Sequence, residues 1–195
     1  MVNITRAADL TMVGANGGAW VAPVGTAAPD SPLTHPLTPW TALGAISEDG
    51  LTNGWDEESQ QFTPWGLTSP FRTQITQSVR TFGLTVWETS RKSVMSLQYR
   101  LDVDDFTPDG EGVTRFAETA SPVPDRRAFY FVVIDGENYR GFYVPDGEVS
   151  ERGDVEYKQD TMSGFEWTIT TYPDASGNTV YHADKIPVTP ADPLS

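Results

Sequence analysis

Adjacent carboxylates are the residues of this chain whose types first suggest catalysis. Asp104 with Asp105 and Glu57 with Glu58 are neighbours in the sequence. Two carboxylates that flank a glycosidic bond can act as a general acid and as a nucleophile or base. Neighbouring residues on a strand point to opposite faces, so neither pair predicts an acid and a base facing each other across a cleft. We interpret both pairs as solvent-exposed acids, which need no special explanation.

Two further segments resemble ligand-binding loops in composition only. Residues 102–112 are as acidic as a calcium loop, but Phe106 occupies the place of a third oxygen ligand and the glycine is displaced. The glycine-rich Gly14–Gly18 segment follows no strong strand, opens no helix and lacks a following lysine, which a phosphate-binding loop requires. His35 lies among prolines, and no serine occupies a nucleophile elbow. The sequence predicts no catalytic residue, no metal and no cofactor.

The composition narrows the remaining classes of function. The 195 residues fit one domain, and the absence of cysteine excludes disulfides and thiolate metal sites. There are 27 acidic residues against 13 Lys and Arg, a formal net charge of −14. Such a chain is not built to bind nucleic acid, which requires clustered basic residues. Because the sequence has no apolar run of about 18 residues, we also expect no membrane partner.

The elements that position these residues are mainly strands. Residues 1–39 are rich in Gly, Pro, Ala and Thr and predict an extended N-terminal arm, with one strand-like piece at 18–23. Residues 40–186 predict the main β domain. Residues 187–195 contain three prolines and predict a flexible tail.

The strongest strand signal lies in residues 71–88, where Phe82, Leu84 and Val86 share one face. Earlier apolar residues fall on odd positions, so we predict a bulge or a tight turn near residues 79–81 that resets the register. Residues 90–101 then change to helical spacing and predict the one flanking α-helix, with Ser90 as its N-cap.

Turn residues divide the rest of the domain. Ser47–Gly50 predicts a turn that leads from one strand into a second, acidic strand or loop at 51–61, and residues 102–124 predict a long exposed loop. Asp135-Gly136 predicts a β-hairpin, and Asp146-Gly147 a second turn. The predicted fold class is therefore mainly β, with one helix.

The order of several segments resembles the major tail proteins of actinobacteriophages. The segments that carry this resemblance are Gly-Gly-Ala-Trp-Val-Ala-Pro-Val-Gly at 17–25, Leu43–Leu51, Arg80–Thr89, the aromatic block Ala128–Tyr143 and the strand Phe165–Tyr172. Some relatives also carry a C-terminal immunoglobulin-like module, and the chain ends soon after its last core strand, so we expect a minimal tube subunit.

The resemblance implies a tail-tube-type β-sandwich or partly open barrel that assembles as stacked hexameric rings. In such siphophage families the rings form a conduit through which DNA passes without specific binding. The implied partners are further copies of the chain, a tape measure protein, a tail tip or distal tail protein and a tail terminator protein. The implied location is the virion tail, with assembly in the bacterial cytoplasm.

Charge is segregated along the sequence in a way that suits contacts between copies. Residues 41–70 carry only acidic charges, whereas 71–101 are mainly basic. Opposite blocks that meet between subunits fix orientation more than they add affinity. The candidate lumen or inter-subunit charges are Glu48, Asp49, Asp56, Glu57, Glu58, Arg72 and Arg80.

Other readings of the sequence remain open at this point. A capsid decoration or tail completion protein shares the small, acidic, β-rich character of the chain. The six tryptophans could also serve a carbohydrate-binding β-sandwich module, because aromatic rings stack on sugars. A hydrolase is the enzymatic alternative, and it lacks a catalytic pair.

Overall fold

The fold, seen in a computed structural model that describes residues 10–30 and 38–185, is an antiparallel sheet with one α-helix. His35 lies outside the described residues. The strands are β1 Asn16–Pro23, β2 Thr41–Ala42, β3 Ile46–Phe62, β4 Arg72–Val86, β5 Arg127–Asp135, β6 Asn138–Arg152, β7 Phe165–Thr171 and β8 Tyr181–Lys185. The helix α1 spans Lys92–Tyr99, and a short 3₁₀ helix spans Val103–Phe106.

The strand order in the sheet is β2-β1-β5-β6-β7-β4-β3, and β8 pairs with β6. The Phe82 ring of β4 nevertheless lies 4.9 Å from the Phe131 ring of β5 and 5.4 Å from the Phe142 ring of β6, between centroids. Because β7 and β6 separate β4 from β5 in the sheet, the first contact requires the sheet to curl onto itself. The predicted mainly β class, a partly open barrel or sandwich with one helix, is confirmed.

Alternation of apolar and polar residues explains which face is inside. Phe82, Leu84 and Val86 of β4 are buried as predicted, and so are the alternate residues of β7, namely Phe165, Trp167 and Ile169. These side chains join β5, β6 and α1 in one core. A smaller aromatic cluster around Tyr130 lies apart from this core, where Trp40 donates from Nε1 to the Ala27 carbonyl at 3.2 Å.

The helix forms where the spacing predicts it, and Val94 and Leu97 enter the core. Its N-cap is Arg91 and makes no side-chain capping bond, so the predicted cap at Ser90 is wrong. The guanidinium of Arg152 instead binds the other end, donating to the carbonyls of Leu97 at 2.6 Å and Gln98 at 2.8 Å. Tertiary contact holds this short helix, which local sequence would not stabilise alone.

Two predicted turns are wrong. Ser47–Gly50 lies inside β3, where the pairing with β4 shifts register between Ile46 and Leu51 and Gly50 adopts a φ of 70°. Asp146-Gly147 lies inside β6. Gly147 pairs with β5 on one side and with β7 on the other, and the Asp146 side chain accepts a hydrogen bond from Arg126 Nη1 at 3.0 Å. Asp and Gly are compatible with a turn at both places, but pairing with strands distant in sequence keeps both segments in the sheet.

The remaining local predictions have mixed outcomes. The hairpin between β5 and β6 is confirmed, with Asp135 paired to Asn138. The bulge in β4 lies at Thr76, between the pairs Glu58–Gln77 and Ser59–Ile75, and not at residues 79–81. Of the exposed loop predicted for residues 102–124, residues 107–124 are irregular as predicted, whereas Val103–Phe106 forms the 3₁₀ helix and buries Phe106. The division into an arm, a β domain and a tail stays a prediction, although residues 16–23 of the arm form β1 within the sheet.

Candidate functional site

A long hairpin extends beyond the core of the sheet. Strands β3 and β4 pair as far as Phe62 opposite Arg72, whereas β4 pairs with β7 only from Thr81 to Val86. We call residues 53–80 the projecting hairpin. Within the part of the chain that the structure describes, no strand pairs with the outer edge of β3, and none pairs with residues 72–80 of β4 on the side that faces away from β3. The hairpin therefore presents free backbone donors and acceptors along both edges.

The register places the hairpin residues on two different faces. Leu51 packs on the core and lies opposite Leu84, so its alternate neighbours continue the core-side face beyond the core. The core-side face of the projecting hairpin carries Asn53, Trp55, Glu57, Ser78 and Arg80, and the opposite face carries Gly54, Asp56, Glu58, Gln77, Val79 and (at the inner end) Thr81.

Side chains on the core-side face bind one another across the two strands. The Arg80 guanidinium carbon lies 4.3 Å from the centroid of the Trp55 ring, and Nη2 donates to Asn53 Oδ1 at 2.7 Å. Trp55 donates from Nε1 to Glu57 Oε1 at 2.8 Å and to Ser78 Oγ at 3.0 Å. Cross-strand pairs and cation–π contacts of this kind stabilise a hairpin that has no core beneath it.

The opposite face of the hairpin continues across β7 without a covering layer of side chains. Thr81, Gly83 and Thr85 of β4 lie opposite Thr170, Thr168 and Glu166 of β7. We call this surface the open face; it consists of Thr52, Gly54, Asp56, Glu58, Gln77, Val79, Thr81, Gly83, Thr85, Glu166, Thr168 and Thr170. Its charged members are Asp56, Glu58 and Glu166, so the face is acidic, and most of its other side chains are small.

The predicted charges fall into three places. Asp56 and Glu58 lie on the open face, whereas Glu57 and Arg80 are bonded within the core-side cluster. Arg72 lies at the tip, opposite Phe62. Glu48 and Asp49 line a separate groove of about 610 Å³ between the start of β1 and residues 44–51. The structure therefore brings Asp56 and Glu58 to one surface and separates the others from it, and their roles stay predictions.

Sequence reasoning missed two features of this region. Glu166 joins the open face although it is more than 100 residues from Glu58, and only the pairing of β4 with β7 reveals it. The tip is apolar and exposed: Trp65 is 105% exposed, Phe71 80% and Leu67 56%. The sequence Pro64-Trp65-Gly66 between two polar strand segments was the available signal, because a large aromatic at a turn has no core to enter.

Three acids of the 102–112 segment accept hydrogen bonds from backbone amides. Asp102 accepts from the Asp104 amide at 3.2 Å, and Asp105 accepts from the Asp102 amide at 3.1 Å, which together cap the 3₁₀ helix. Asp109 accepts from the amides of Glu111 and Val113, each at 2.9 Å, and these bonds lower the pKa of its carboxyl. Residues 10–30 and 38–185 contain no group of three or more His, Asp and Glu that could hold a metal ion.

An open, mainly β sheet with unpaired strand edges and a projecting hairpin defines the class of the protein as a β-sheet scaffold. None of the described helices is both long and apolar enough to span a bilayer.

Comparison with models of protein families gives a match over most of the chain. A family model of phage tail tube proteins matches residues 5–190, and the chain belongs to this family. The family gives the protein a structural role in the virion tail, where copies assemble into a tube with other tail proteins. No curated protein matches the chain.

Proposed function

We propose that this chain is the major tail tube subunit of a siphophage and polymerises as stacked hexameric rings into the conduit for DNA delivery. The observation that carries the proposal is the projecting hairpin, whose two edges are unpaired and whose open face is polar and acidic. Long unpaired edges are a hazard in a monomer, and pairing with further copies removes it. The protein acts as a structural component and not as an enzyme.

Neighbouring copies can join through these edges. Strands β3 and β4 are antiparallel, so in the projecting hairpin the outer edge of β3 in one copy, placed next to the unpaired edge of residues 72–80 of β4 in the following copy, continues an antiparallel sheet. The β3 edge carries Glu48, Asp49 and further acids, and the start of β4 carries Arg72. Main-chain hydrogen bonds would supply affinity, and the charges would favour this orientation over β3 against β3.

The number of strands decides whether such a ring leaves a usable bore. If only β3 and β4 of six copies lined the ring, the barrel would be about 24 Å across at the backbone, before side chains narrow it. If β7 and the second half of β6 also contribute, the diameter doubles to about 48 Å. We therefore propose that the sheet β3-β4-β7-β6, with its open face inward, lines the lumen.

An acidic lumen suits the passage of DNA. Asp56, Glu58 and Glu166 would repeat in every copy of a ring, and the face has no Lys or Arg among its members. Without basic contacts, no counterions are released and the phosphates are not held. DNA would then slide through the tube without specific binding.

The other tail proteins complete the proposal. The tube would grow from a tail tip or distal tail protein around the tape measure protein, and a terminator protein would close it near the capsid. Assembly would take place in the cytoplasm of the host.

The test begins with electron microscopy of the concentrated wild-type protein, where rings or tubes are expected. A protein that stays monomeric at every concentration and with tail tip components added would contradict the proposal. The lumen is tested with Asp56→Lys, Glu58→Lys and Glu166→Lys combined, against a matched control with Asp30→Lys, Glu137→Lys and Asp160→Lys. Both variants should form tubes, and phage that carry the first should eject DNA more slowly. Equal ejection rates for the two would remove the acidic lumen from the proposal.

A further inference from the structure

Two groups of exposed apolar side chains lie at opposite ends of one strand. At the start of β4 is the hairpin tip, in which Trp65, Leu67 and Phe71 are 105%, 56% and 80% exposed. The Phe71 amide donates to the Phe62 carbonyl at 2.9 Å, so the tip is a closed loop and not a frayed end. Side chains as large as these rarely remain in water on an ordered loop unless they contact a partner.

The second group lies at the other end of β4. We call it the aromatic patch: Tyr99, Phe106, Val113 and Phe116. The Phe116 ring lies 4.8 Å from the Tyr99 ring and 4.9 Å from the Phe106 ring, between centroids. Phe116 is 37% exposed and Val113 42% exposed, whereas Phe106 is buried, with only 2% of its surface exposed.

The position of the aromatic patch follows from one contact between rings and one pair of residues in adjacent strands. The Tyr99 ring packs edge-on against Phe165 at 6.2 Å, and Phe165 lies opposite Val86, the last residue of β4. The tip precedes Arg72, the first residue of β4. At about 3.3 Å per residue the strand separates the two apolar surfaces by about 45 Å.

Charge distinguishes the two ends as well. Residues 59–75 around the tip contain Arg72 and no acidic residue, whereas residues 102–118 around the patch contain six acidic residues and Arg115. Tip against tip would leave both acidic loops unpartnered, and patch against patch would bring acidic loops together. Tip against patch buries apolar surface and joins opposite charges.

From this arrangement we infer that the hairpin tip of one copy binds the aromatic patch of a second copy placed along the direction of β4. The contact is head-to-tail, so each copy uses both surfaces and the assembly stays open to further addition. The inference rests on the proposed tube and specifies the contact between successive rings, which is separate from the strand edges that join copies within a ring.

The chain contains no cysteine, so an introduced pair gives an unambiguous cross-link. Trp65→Cys and Val113→Cys are made separately, because both sites are exposed and neither substitution removes a core side chain. The two variants are mixed, assembled and oxidised. A disulfide requires Cα atoms within about 7 Å, so a dimer band in assembled material reports direct contact. The control mixture is Trp65→Cys with Val24→Cys, which is 51% exposed and outside the patch.

We expect a disulfide-linked dimer band from the first mixture and no such band from the control mixture. A variant with Trp65→Ser and Leu67→Ser should form rings but no long tubes. Long tubes from this variant, or equal bands from both mixtures, would overturn the head-to-tail contact and leave the tube itself standing. If the wild-type protein forms neither rings nor tubes, the proposed function fails and this inference fails with it.

Discussion

Glu88 links the end of β4 to the start of α1 and to the connection between β2 and β3. Its carboxylate accepts from the Ala45 amide at 2.8 Å and from Arg91 Nε at 2.8 Å, just before α1. Gly44 adopts a φ of 88°, and a Cβ there would lie 2.4 Å from Glu88 Cδ. The crossover from β2 to β3 is thus fixed against the end of β4 by one carboxylate and one glycine.

Replacement of Gly44 tests this packing. Gly44→Ala should lower the free energy of unfolding by about 1–2 kcal/mol for the left-handed backbone, and by a further amount because Glu88 must move. Gly25→Ala is the matched control, since Gly25 has a φ of 77° and nothing within 4 Å of its Cβ position. Urea denaturation measures both. Equal losses of unfolding free energy in the two variants would show that Glu88 moves aside at no cost in stability.

The pH dependence of Glu88 has a defined sign. The hydrogen bond from Arg91, followed by that from the Ala45 amide, lowers the pKa of Glu88 from 4.5. A lowered pKa in the folded state stabilises the protein above the unfolded pKa, and this contribution is lost as the pH falls through the folded pKa.

Comparison with Glu88→Gln isolates this contribution, because Asp109 and Asp174 also have lowered pKa values. We expect the variant to have a lower Tm at pH 7 than the wild type and a smaller loss of Tm below pH 4.5. Thermal melts from pH 3 to 7 measure this, with Glu137→Gln in an exposed turn as the control. Parallel Tm curves for wild type and Glu88→Gln would contradict the role of Glu88.

At the scale of elements, the C-terminal end of α1 is bonded to the Arg152 side chain of β6. Arg152 donates to the carbonyls of Leu97, Gln98 and Val149 at 2.6, 2.8 and 3.0 Å. Burial, as the largest cause, lowers the pKa of Arg152. A helix of eight residues without a side-chain N-cap cannot persist without such contacts.

Arg152→Met should therefore destabilise the helix more than the rest of the fold. Loss of charged hydrogen bonds to buried carbonyls predicts a loss of about 2–3 kcal/mol. Hydrogen exchange should become faster first in residues 93–99. The control is Arg140→Met, whose exposed ion pair with Asp184 at 3.2 Å should contribute only about 0–1 kcal/mol. Uniform acceleration across all strands would contradict the helix-specific effect.

The elements also show how far the sequence could predict the fold. Alternation predicted β4 and β7, because Phe82–Val86 and Phe165–Ile169 each bury one face. Asp-Gly predicted the β5–β6 hairpin correctly and failed at Asp146-Gly147, because a turn signal does not reveal that β6 has a second partner in β7. β8 was missed, since Tyr181–Lys185 is exposed throughout and is a strand only through its pairing with β6.

The same limit applies to the candidate site. Sequence could identify Asp56 and Glu58 as strand acids, but whether they share a surface with Glu166 depends on pairing across the sheet. From its charge alone, Arg80 was a candidate to bind a neighbouring copy. Its guanidinium already contacts the Trp55 ring and Asn53 of the same chain.

At the scale of the whole molecule, the acidic loop should change its exposure on assembly. Arg115 is exposed in the single chain, with its side chain 68% accessible beside Asp109. Trypsin should cleave after Arg115 in free subunits and much more slowly in tubes, because the tip of the next copy would cover this region. The Trp65→Ser, Leu67→Ser variant, assembled as rings, is the control and should remain cleavable. Equal cleavage rates in free wild-type subunits and tubes would contradict the predicted protection.

The passage of β6 from one part of the sheet to another has a mechanical consequence. Its first residues pair with β5 and β8, and from Gly147 it pairs with β7. The two parts of the sheet are therefore joined covalently along one strand, and a pull along β6 is carried by its peptide bonds. A cylinder of such subunits would yield first at the joints between copies, so that it could flex as a tail sways while each building block keeps its shape.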